Sequence, residues 1–423
     1  MRLEISQLYD SHVHWLGTGL IETGLKLFDL RNANEIAEVE IKPEYFRQEW
    51  LVGFGWNQTS WPDAKMPSRE ILDRVFPNHP VMFQRADGHT SWLNSLALKK
   101  LGYAADHSGI LREEEHFVAY SALPKYSDAQ IQAALTYAMN LFNQQGFTHI
   151  RDMTCDEQQW QQAVAMDKTG LLTLYVQENF LCERPADLDK TLKAAEAARM
   201  QNTKHVQVQG IKIFYDGTLG SDTAYLSKCN CGPQKFAWSF EDIETVLRKS
   251  WEKGLEVAVH TIGDEAAHQV VRIAREVMAT NKLTGWLNLE HVEVLRPETI
   301  QMMKALHVRC HMQPCHWLSD KEWIVEKLGD LYKNAFPWGA LSRSGIPLHF
   351  GSDSPVAKIS YWDNERALRE SIKAKIPALK GEVQDFHRFP KSEGTKNMAV
   401  FEEQKLTHLY FDDRLIIGPT GRI

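Results

Sequence analysis

The 423 residues carry a formal charge of −7, with 43% apolar and 24% charged side chains, the balance of an ordinary globular chain rather than a disordered one. No apolar run approaches the ~18 residues needed to span a bilayer, Met1-Arg2-Leu3-Glu4 lacks the apolar core of a secretion signal, and Lys and Arg are scattered rather than gathered into a basic stripe. The composition therefore points away from membrane and nucleic-acid partners, and a cytoplasmic location is expected. The length allows one large domain with insertions. Six cysteines (Cys155, Cys182, Cys229, Cys231, Cys310, Cys315) are too sparse for a disulfide framework and are expected to be reduced thiols. Cys229-Asn230-Cys231 has no second pair at zinc-site spacing and reads as a loop with two incidental thiols.

In chain order, the first strand-like stretch is Leu8-Tyr9-Asp10-Ser11-His12-Val13-His14-Trp15. Side chains two apart on a strand share a face, so His12 and His14 can present two imidazoles to one point. Residues 16 to about 126 carry Gly, Pro and Trp punctuation and offer one clear strand-like run, from Pro80 to His89. Gly53-x-Gly55 lacks the third glycine and the strand-to-helix context of a nucleotide loop. The thirteen tryptophans predict a substantial core or a pocket with aromatic walls.

From Ser127 the pattern becomes regular. Ile131, Leu135, Ala138, Leu141 and Phe142 recur at helical spacing, Ser127 can cap the start, and Gly146 sits where a left-handed C-terminal residue belongs. Strands are predicted at Phe147–Asp152, Leu172–Val176, Gly210–Tyr215, Leu255–His260, Trp286–His291, His307–Met312 and Pro347–Gly351. Helices are predicted between them: Phe240–Lys253 with Ser239 as N-cap, Asp264 to about Thr280, and Pro297 to about Ala305 with proline at its first position. Eight strands alternating with helices predict a parallel (β/α)₈ barrel, with residues 16–126 inserted after the first strand. A doubly wound sheet is the alternative, and its Gly-rich first turn is absent. Residues 1–360 are assigned to the barrel and its insertion, and 361–423 to a C-terminal helix and a small hairpin.

A barrel of this kind works at the C-terminal ends of its strands. Six residues stand there with metal-site chemistry: His12, His14, Lys212, His260, His291 and Asp353. Imidazole and carboxylate suit zinc and its neighbours. Lysine is no ligand as an ammonium, but burial depresses its pKa, and the free amine can take up carbon dioxide to give a carbamate whose two oxygens bridge two ions. Two such ions share a hydroxide and polarise a carbonyl. Singly, each residue has another reading: a hydrogen-bonded core histidine, a Lys212 pair with Asp216 or Asp222, a turn capped by Asp353. Jointly, five strands ending in suitable groups favour a site.

Other stretches carry a resemblance. Arg85-Ala86-Asp87-Gly88-His89-Thr90-Ser91-Trp92-Leu93-Asn94-Ser95, Asp216-Gly217-Thr218-Leu219-Gly220-Ser221-Asp222, His260-Thr261-Ile262-Gly263-Asp264, Gln313-Pro314-Cys315-His316 and Phe350-Gly351-Ser352-Asp353-Ser354-Pro355 resemble motifs of the amidohydrolase superfamily. Within it they are similar to amidohydrolase family 3, the YtcJ-like branch that includes N-substituted formamide deformylase. The resemblance implies a metal-dependent hydrolase of non-peptide C–N bonds acting on a small molecule. By it, His12, His14 and Asp353 hold the first metal, His260 and His291 the second, and carboxylated Lys212 bridges; zinc is the expected ion, one or two per chain. Asp353 is implied as the catalytic base that passes a proton to the leaving nitrogen. Arg85, Asp87, His89, Trp92 and His316 are candidates for substrate contact, with core tryptophan and a structural ion pair as competing readings. Trp56 is a further candidate wall with the same competing core reading. Asp216, Asp222 and Asp264 are expected to orient ligands.

The sequence also departs from the branch. Members carry part of a β-sandwich ahead of the His-x-His strand, whereas here eleven residues precede His12, and the closing Gly-x-x-Ala-Asp motif is missing. A reduced or missing sandwich is expected, or a sequence taken from an internal start. Two other functions stay open. A mononuclear deaminase of the same superfamily lacks the bridging lysine and places a glutamate about three residues beyond the fifth-strand histidine, where this chain has Asp264 four beyond His260. A homologue without catalysis, serving as a binding or regulatory protein, is the other. The assembly is expected to be a monomer or a homodimer.

Overall fold

The computed structural model describes residues 2–86, 88–228, 238–391 and 394–422; Asp87 and the Cys229–Cys231 loop lie outside them. Eight parallel strands run β1 (Tyr9–Val13), β2 (His149–Cys155), β3 (Tyr175–Leu181), β4 (Val206–Phe214), β5 (Glu256–Thr261), β6 (Leu287–His291), β7 (Val308–Met312) and β8 (Leu348–Phe350), each hydrogen-bonded to its successor. The sheet curls until the chain after β8 meets β1, where Val13 bridges Ser354 in parallel. Two backbone bonds seal that seam, Asp353 N–H to His12 O at 2.8 Å and Ser354 O accepting from His14 N–H at 2.8 Å. This is a (β/α)₈ barrel.

Local sequence accounts for the helices around it. Ser239 accepts from Asp242 N–H while the Asp242 carboxylate bonds back to Ser239, a capping box that starts Phe240–Glu252, and two unmet N–H groups are satisfied at once. Asp264–Asn281 and Pro297–Met303 fall where their spacing and N-terminal residues predict. β3 departs from expectation: it begins at Tyr175, past the apolar run Leu172–Leu174, and continues through Gln177-Glu178-Asn179. Glu178 and Asn179 are fully buried, Glu178 against Gln159 of the helix Glu157–Lys168 and Asn179 donating to Asp152 O of β2 at 3.0 Å, and a search for apolar alternation passes over such a strand.

Contacts divide the described chain into two compact units, residues 1–16 with 138–423, and Gly17–Tyr137. In the first, the segment expected as a hairpin is a five-stranded antiparallel sheet in which Arg2–Ser6 pairs with Met398–Glu402, followed by Lys405–Phe411, Arg414–Gly418 and Gly421–Arg422. Asp412 fastens a strand end of this sheet. Its carboxylate accepts from His205 Nε2 at 2.8 Å, Tyr175 O–H at 2.6 Å, Thr395 O–H at 2.9 Å and Lys204, while His205 Nδ1 reaches Asp167 at 2.5 Å.

The unit Gly17–Tyr137 is built on a six-stranded mixed sheet whose centre is Trp50–Trp56, Val81–Arg85 and Thr90–Leu93. Its core gathers Trp56, Trp61, Phe83 and Trp92 with Leu25, Leu51 and Leu72. Trp56 donates to Phe83 O at 2.8 Å and Trp92 to Ser68 O at 3.0 Å, so both indoles keep a partner when buried. Among the described residues no helix is long and apolar enough to cross a membrane.

Candidate metal centre

The strand ends bring five of the six predicted ligand residues to one mouth of the barrel, and Lys212 lies inside it. β-register sets their layer: Phe214 stands opposite His260, and Thr261 opposite His291. His12 and His291 have ring centroids 4.7 Å apart, His260 and His291 4.4 Å. Asp353 Oδ1 lies 3.3 Å from His12 Nε2 and 3.0 Å from His14 Nε2. His291 and Asp353 both take left-handed backbone, φ 70° and 60°, a conformation that non-glycine residues adopt at a cost and that clusters at functional sites.

Gly351 allows Asp353 to arrive there. A Cβ on Gly351 would stand 2.7 Å from His12 N and 2.8 Å from Asp10 Oδ1, so the chain leaving β8 lies directly on β1. Asp10 holds the contact by accepting from Ser352 N–H at 2.9 Å, and burial pushes its pKa up to about 7.

Beneath the mouth lies a polar network. His12 Nδ1 is 2.6 Å from Glu290 Oε2, and Glu290 Oε1 accepts from Arg151 Nη1 at 2.8 Å, all within the fully buried interior. Burial works against the Glu290 charge, yet Arg151, His311 and His12 hold its pKa well below the carboxylate range. A carboxylate on Nδ1 fixes the tautomer that leaves Nε2 free to bind an ion. His291 Nδ1 is held likewise by Gln313 Oε1 at 2.8 Å. Glu290, Arg151 and Gln313 are absent from the sequence-derived list, although an arginine in mid-strand, Arg151, already demands a buried counter-charge.

The electrostatics suit neutral ligands. Burial, with Lys212 adding to it, lowers His260 to about 3, and burial with His260 and His12 lowers His291 well below its usual range. Burial lowers Lys212 to about 8. Burial opposes the Asp353 charge, but His12, His14 and His291 keep it ionised. His12 Nε2, Lys212 Nζ, His260 Nδ1 and His316 Nε2 are buried polar atoms with no hydrogen-bond partner. Such atoms are costly unless something else satisfies them, and a divalent ion fits these donors. His12, His14 and Asp353 offer ligand atoms all within 4.8 Å of one another.

The second group differs from expectation. His291 and Asp353 are joined within 4.8 Å by His316, whereas His260 turns Nε2 to Gly217 O at 3.1 Å and presents Nδ1. His316 also faces Glu293, 3.5 Å from Nδ1; burial disfavours its charge, but Glu293 and Asp353 raise its pKa overall. These groups border a cavity of about 890 Å³ that includes Phe214, Leu219, Trp323 and Arg366.

The other predicted residues that are described each have their own local partners. Asp216 accepts from the N–H groups of Ile262, Gly263 and Tyr225 at 2.8–3.0 Å and lies 3.9 Å from His260 Nε2, so it shapes the loop after β5; burial raises it to about 7. Asp264 accepts from Ser227 N–H and O–H at 2.9 and 2.5 Å. Asp222, expected to orient a ligand, is instead exposed and paired with Lys327 at 2.5 Å, since its left-handed turn faces it outward. Within Gly17–Tyr137, Arg85 donates to Gln58 at 2.8 Å and Asn57 at 3.0 Å, and the half-exposed His89 meets Glu113 at 3.1 Å. Trp92 and Trp56 are core residues rather than cavity walls, and Asp87 is not among the described residues.

The fold and the strand-end cluster define a (β/α)₈ barrel hydrolase with a histidine–aspartate centre able to hold metal. The family model described as "Amidohydrolase family" matches residues 8–373. The chain belongs to the amidohydrolase family. It is 28% identical over 381 residues to the putative amidohydrolase YtcJ of Bacillus subtilis (strain 168), spanning 83% of this chain and 70% of that protein. It is 26% identical over 412 residues to the protein LONG AFTER FAR-RED 3 of Arabidopsis thaliana, spanning 88% and 70%. An uncharacterized metal-dependent hydrolase from Pyrococcus furiosus superposes with a TM-score of 0.73 at 25% identity, over 87% of this chain and 77% of that one.

Proposed function

We propose that the protein is a metal-dependent hydrolase of a non-peptide C–N bond in a small amide, formamide or cyclic amide. The observation that carries this reading is the set of buried nitrogens at His12, Lys212 and His260 with no hydrogen-bond partner beside an ionised Asp353. His12, His14 and Asp353 would hold one zinc ion, and His291 with His260 or His316 a second, with Lys212 as carbamate between them. When bound, such ions lower the pKa of water and polarise a carbonyl. Asp353, deprotonated and 3.0 Å from His14 Nε2, would accept the proton of the attacking water and return it to the leaving nitrogen. Where His260 completes the second site, His316, which faces Glu293 through Nδ1 and stands 3.8 Å from Asp353 Oδ2 through Nε2, is left to bond the substrate. The deaminase alternative is disfavoured because Asp264 is engaged by Ser227 rather than directed into the site. The four described cysteines are free and buried, which suits the reducing cytoplasm.

The test joins metal analysis to a screen of N-formyl and N-acyl amines. At least one equivalent of bound zinc and turnover lost in Asp353→Asn are expected. Less than half an equivalent in folded protein would sink the reading. Lys212→Ala is expected to hold no more than one ion; retention of two refutes the bridging role.

A further inference from the structure

The unit Gly17–Tyr137 contains a partly open cavity of about 430 Å³ lined by its own residues. Leu20, Leu25, Val52 and Phe54 give it apolar walls, and its polar groups include the buried Arg47 and the half-buried Tyr120 and Tyr126. The volume and this ratio of many apolar to few polar groups are those of small-molecule sites.

Arg47 lies on a two-residue strand, Phe46–Arg47, folded back on Trp50–Leu51 through Gln48 at φ 55°. It is only 6% exposed. Nη2 donates to Tyr120 Oη at 3.0 Å and to Tyr126 Oη, and the guanidinium carbon lies 3.7 Å from the Tyr126 ring centre. Nε is buried with no partner, and among the described residues no ion pair includes Arg47. Burial pushes Tyr126 up to about 12, so the phenol remains neutral. The other charges at the cavity are the exposed Glu44 and Lys26, the latter paired with Glu22 at 2.5 Å.

A guanidinium taken out of water needs a counter-charge, and stacking on a phenol replaces only part of its lost hydration. One unmatched cation in an apolar cavity fits one monoanion. A carboxylate matches the planar fork of N–H donors, whereas a phosphate dianion needs more donors than one arginine and two phenols supply. We propose that this cavity binds a small amphipathic monocarboxylate, its carboxylate on Arg47 and its hydrocarbon tail along Leu20, Leu25, Val52 and Phe54.

Calorimetric titration of the full-length protein with octanoate, 1-octanol and inorganic phosphate tests this without any turnover. One octanoate per chain is expected, with octanol at least tenfold weaker and phosphate failing to compete. Arg47→Gln is expected to weaken octanoate at least tenfold. Should that variant not fold, Ala133→Trp, which fills the cavity from an exposed helix position, must weaken binding equally. His291→Ala, which alters the proposed metal centre, must leave octanoate binding unchanged. Equal affinity for octanoate and octanol, undiminished binding in Arg47→Gln or in Ala133→Trp, displacement by phosphate, or loss of binding in His291→Ala alone would each overturn the proposal. The last outcome would place the acid at the metal centre instead.

Discussion

Replacing Glu290 by glutamine should weaken metal binding although Glu290 is not itself among the candidate ligands. The native carboxylate serves two buried partners at once, His12 at 2.6 Å and Arg151 at 2.8 Å. The glutamine oxygen must stay with Arg151, which can only donate, so the amide N–H turns to His12 Nδ1. His12 must then accept there and carry its proton on Nε2, the nitrogen that faces Asp353. Loss of such an orienting partner typically costs 10–100-fold in metal affinity, equivalent to ~1.4–2.8 kcal/mol. Leaving Arg151 buried without its counter-charge adds about 3–5 kcal/mol of lost stability, a large share of the ~5–15 kcal/mol a folded chain has. A zinc titration against a competing chelator, run at a temperature where thermal melting shows the variant folded, separates the two effects. Zinc affinity within twofold of the parent in folded Glu290→Gln would refute the tautomer argument. A double variant, Glu290→Gln with Arg151→Met, frees the amide to turn its oxygen to His12 Nδ1 and should regain both stability and part of the metal affinity.

Gly351→Ala should lower stability by about 1–3 kcal/mol through overpacking and weaken zinc as well, because its methyl group would press on the backbone of His12; a melting curve and metal analysis that both match the parent would contradict the close approach. His205 gives a pH signature. Burial disfavours its charge, but Asp167 and Asp412 outweigh that and raise its pKa, so its contribution is complete below about pH 6.5 and is lost as pH rises through the raised folded value. The melting temperature gap between the parent and His205→Asn should be wider at pH 6 than at pH 9. A gap independent of pH would exclude the charged form. Removal of zinc by chelation should lower the melting temperature and re-addition restore it, by mass action on the native state; an indifferent melting curve would count against the centre.

Much of the barrel was legible because its helices obey local rules. Ser127, Ser239 and Pro297 start helices where such residues should, and glycines follow the ends of the first two. The candidate ligand residues other than Lys212 were legible because they stand at or just beyond strand ends. What stayed hidden was set by partners far apart in sequence. β3 carries polar groups satisfied by its neighbouring strands and by the helix Glu157–Lys168, and Glu290 matters only because folding brings Arg151 and His12 against it. The sheet of Gly17–Tyr137 was missed because its short strands, broken by glycine, lack a sustained period. The motif around Trp92 resembles a binding signature, yet several of its members serve the fold: Trp92 fills the core, and Asn94 caps Ser95–Leu101 by accepting from Ala97 N–H at 2.9 Å. Asp222 shows the opposite error, a carboxylate beside a functional loop whose backbone turns it to solvent.

The seam between β1 and the chain after β8 also bears on the order of assembly. His14 and Asp353 are 339 positions apart, and every intervening βα pair must be in place before they can meet. The entropy of closing so long a loop grows only slowly with length, so the separation is a matter of time more than of stability. During synthesis the histidine pair emerges early and its aspartate late. A zinc ion could therefore not template the first strand pairings with the full ligand set; it would arrive at a barrel already formed, as the last clasp on a closed ring.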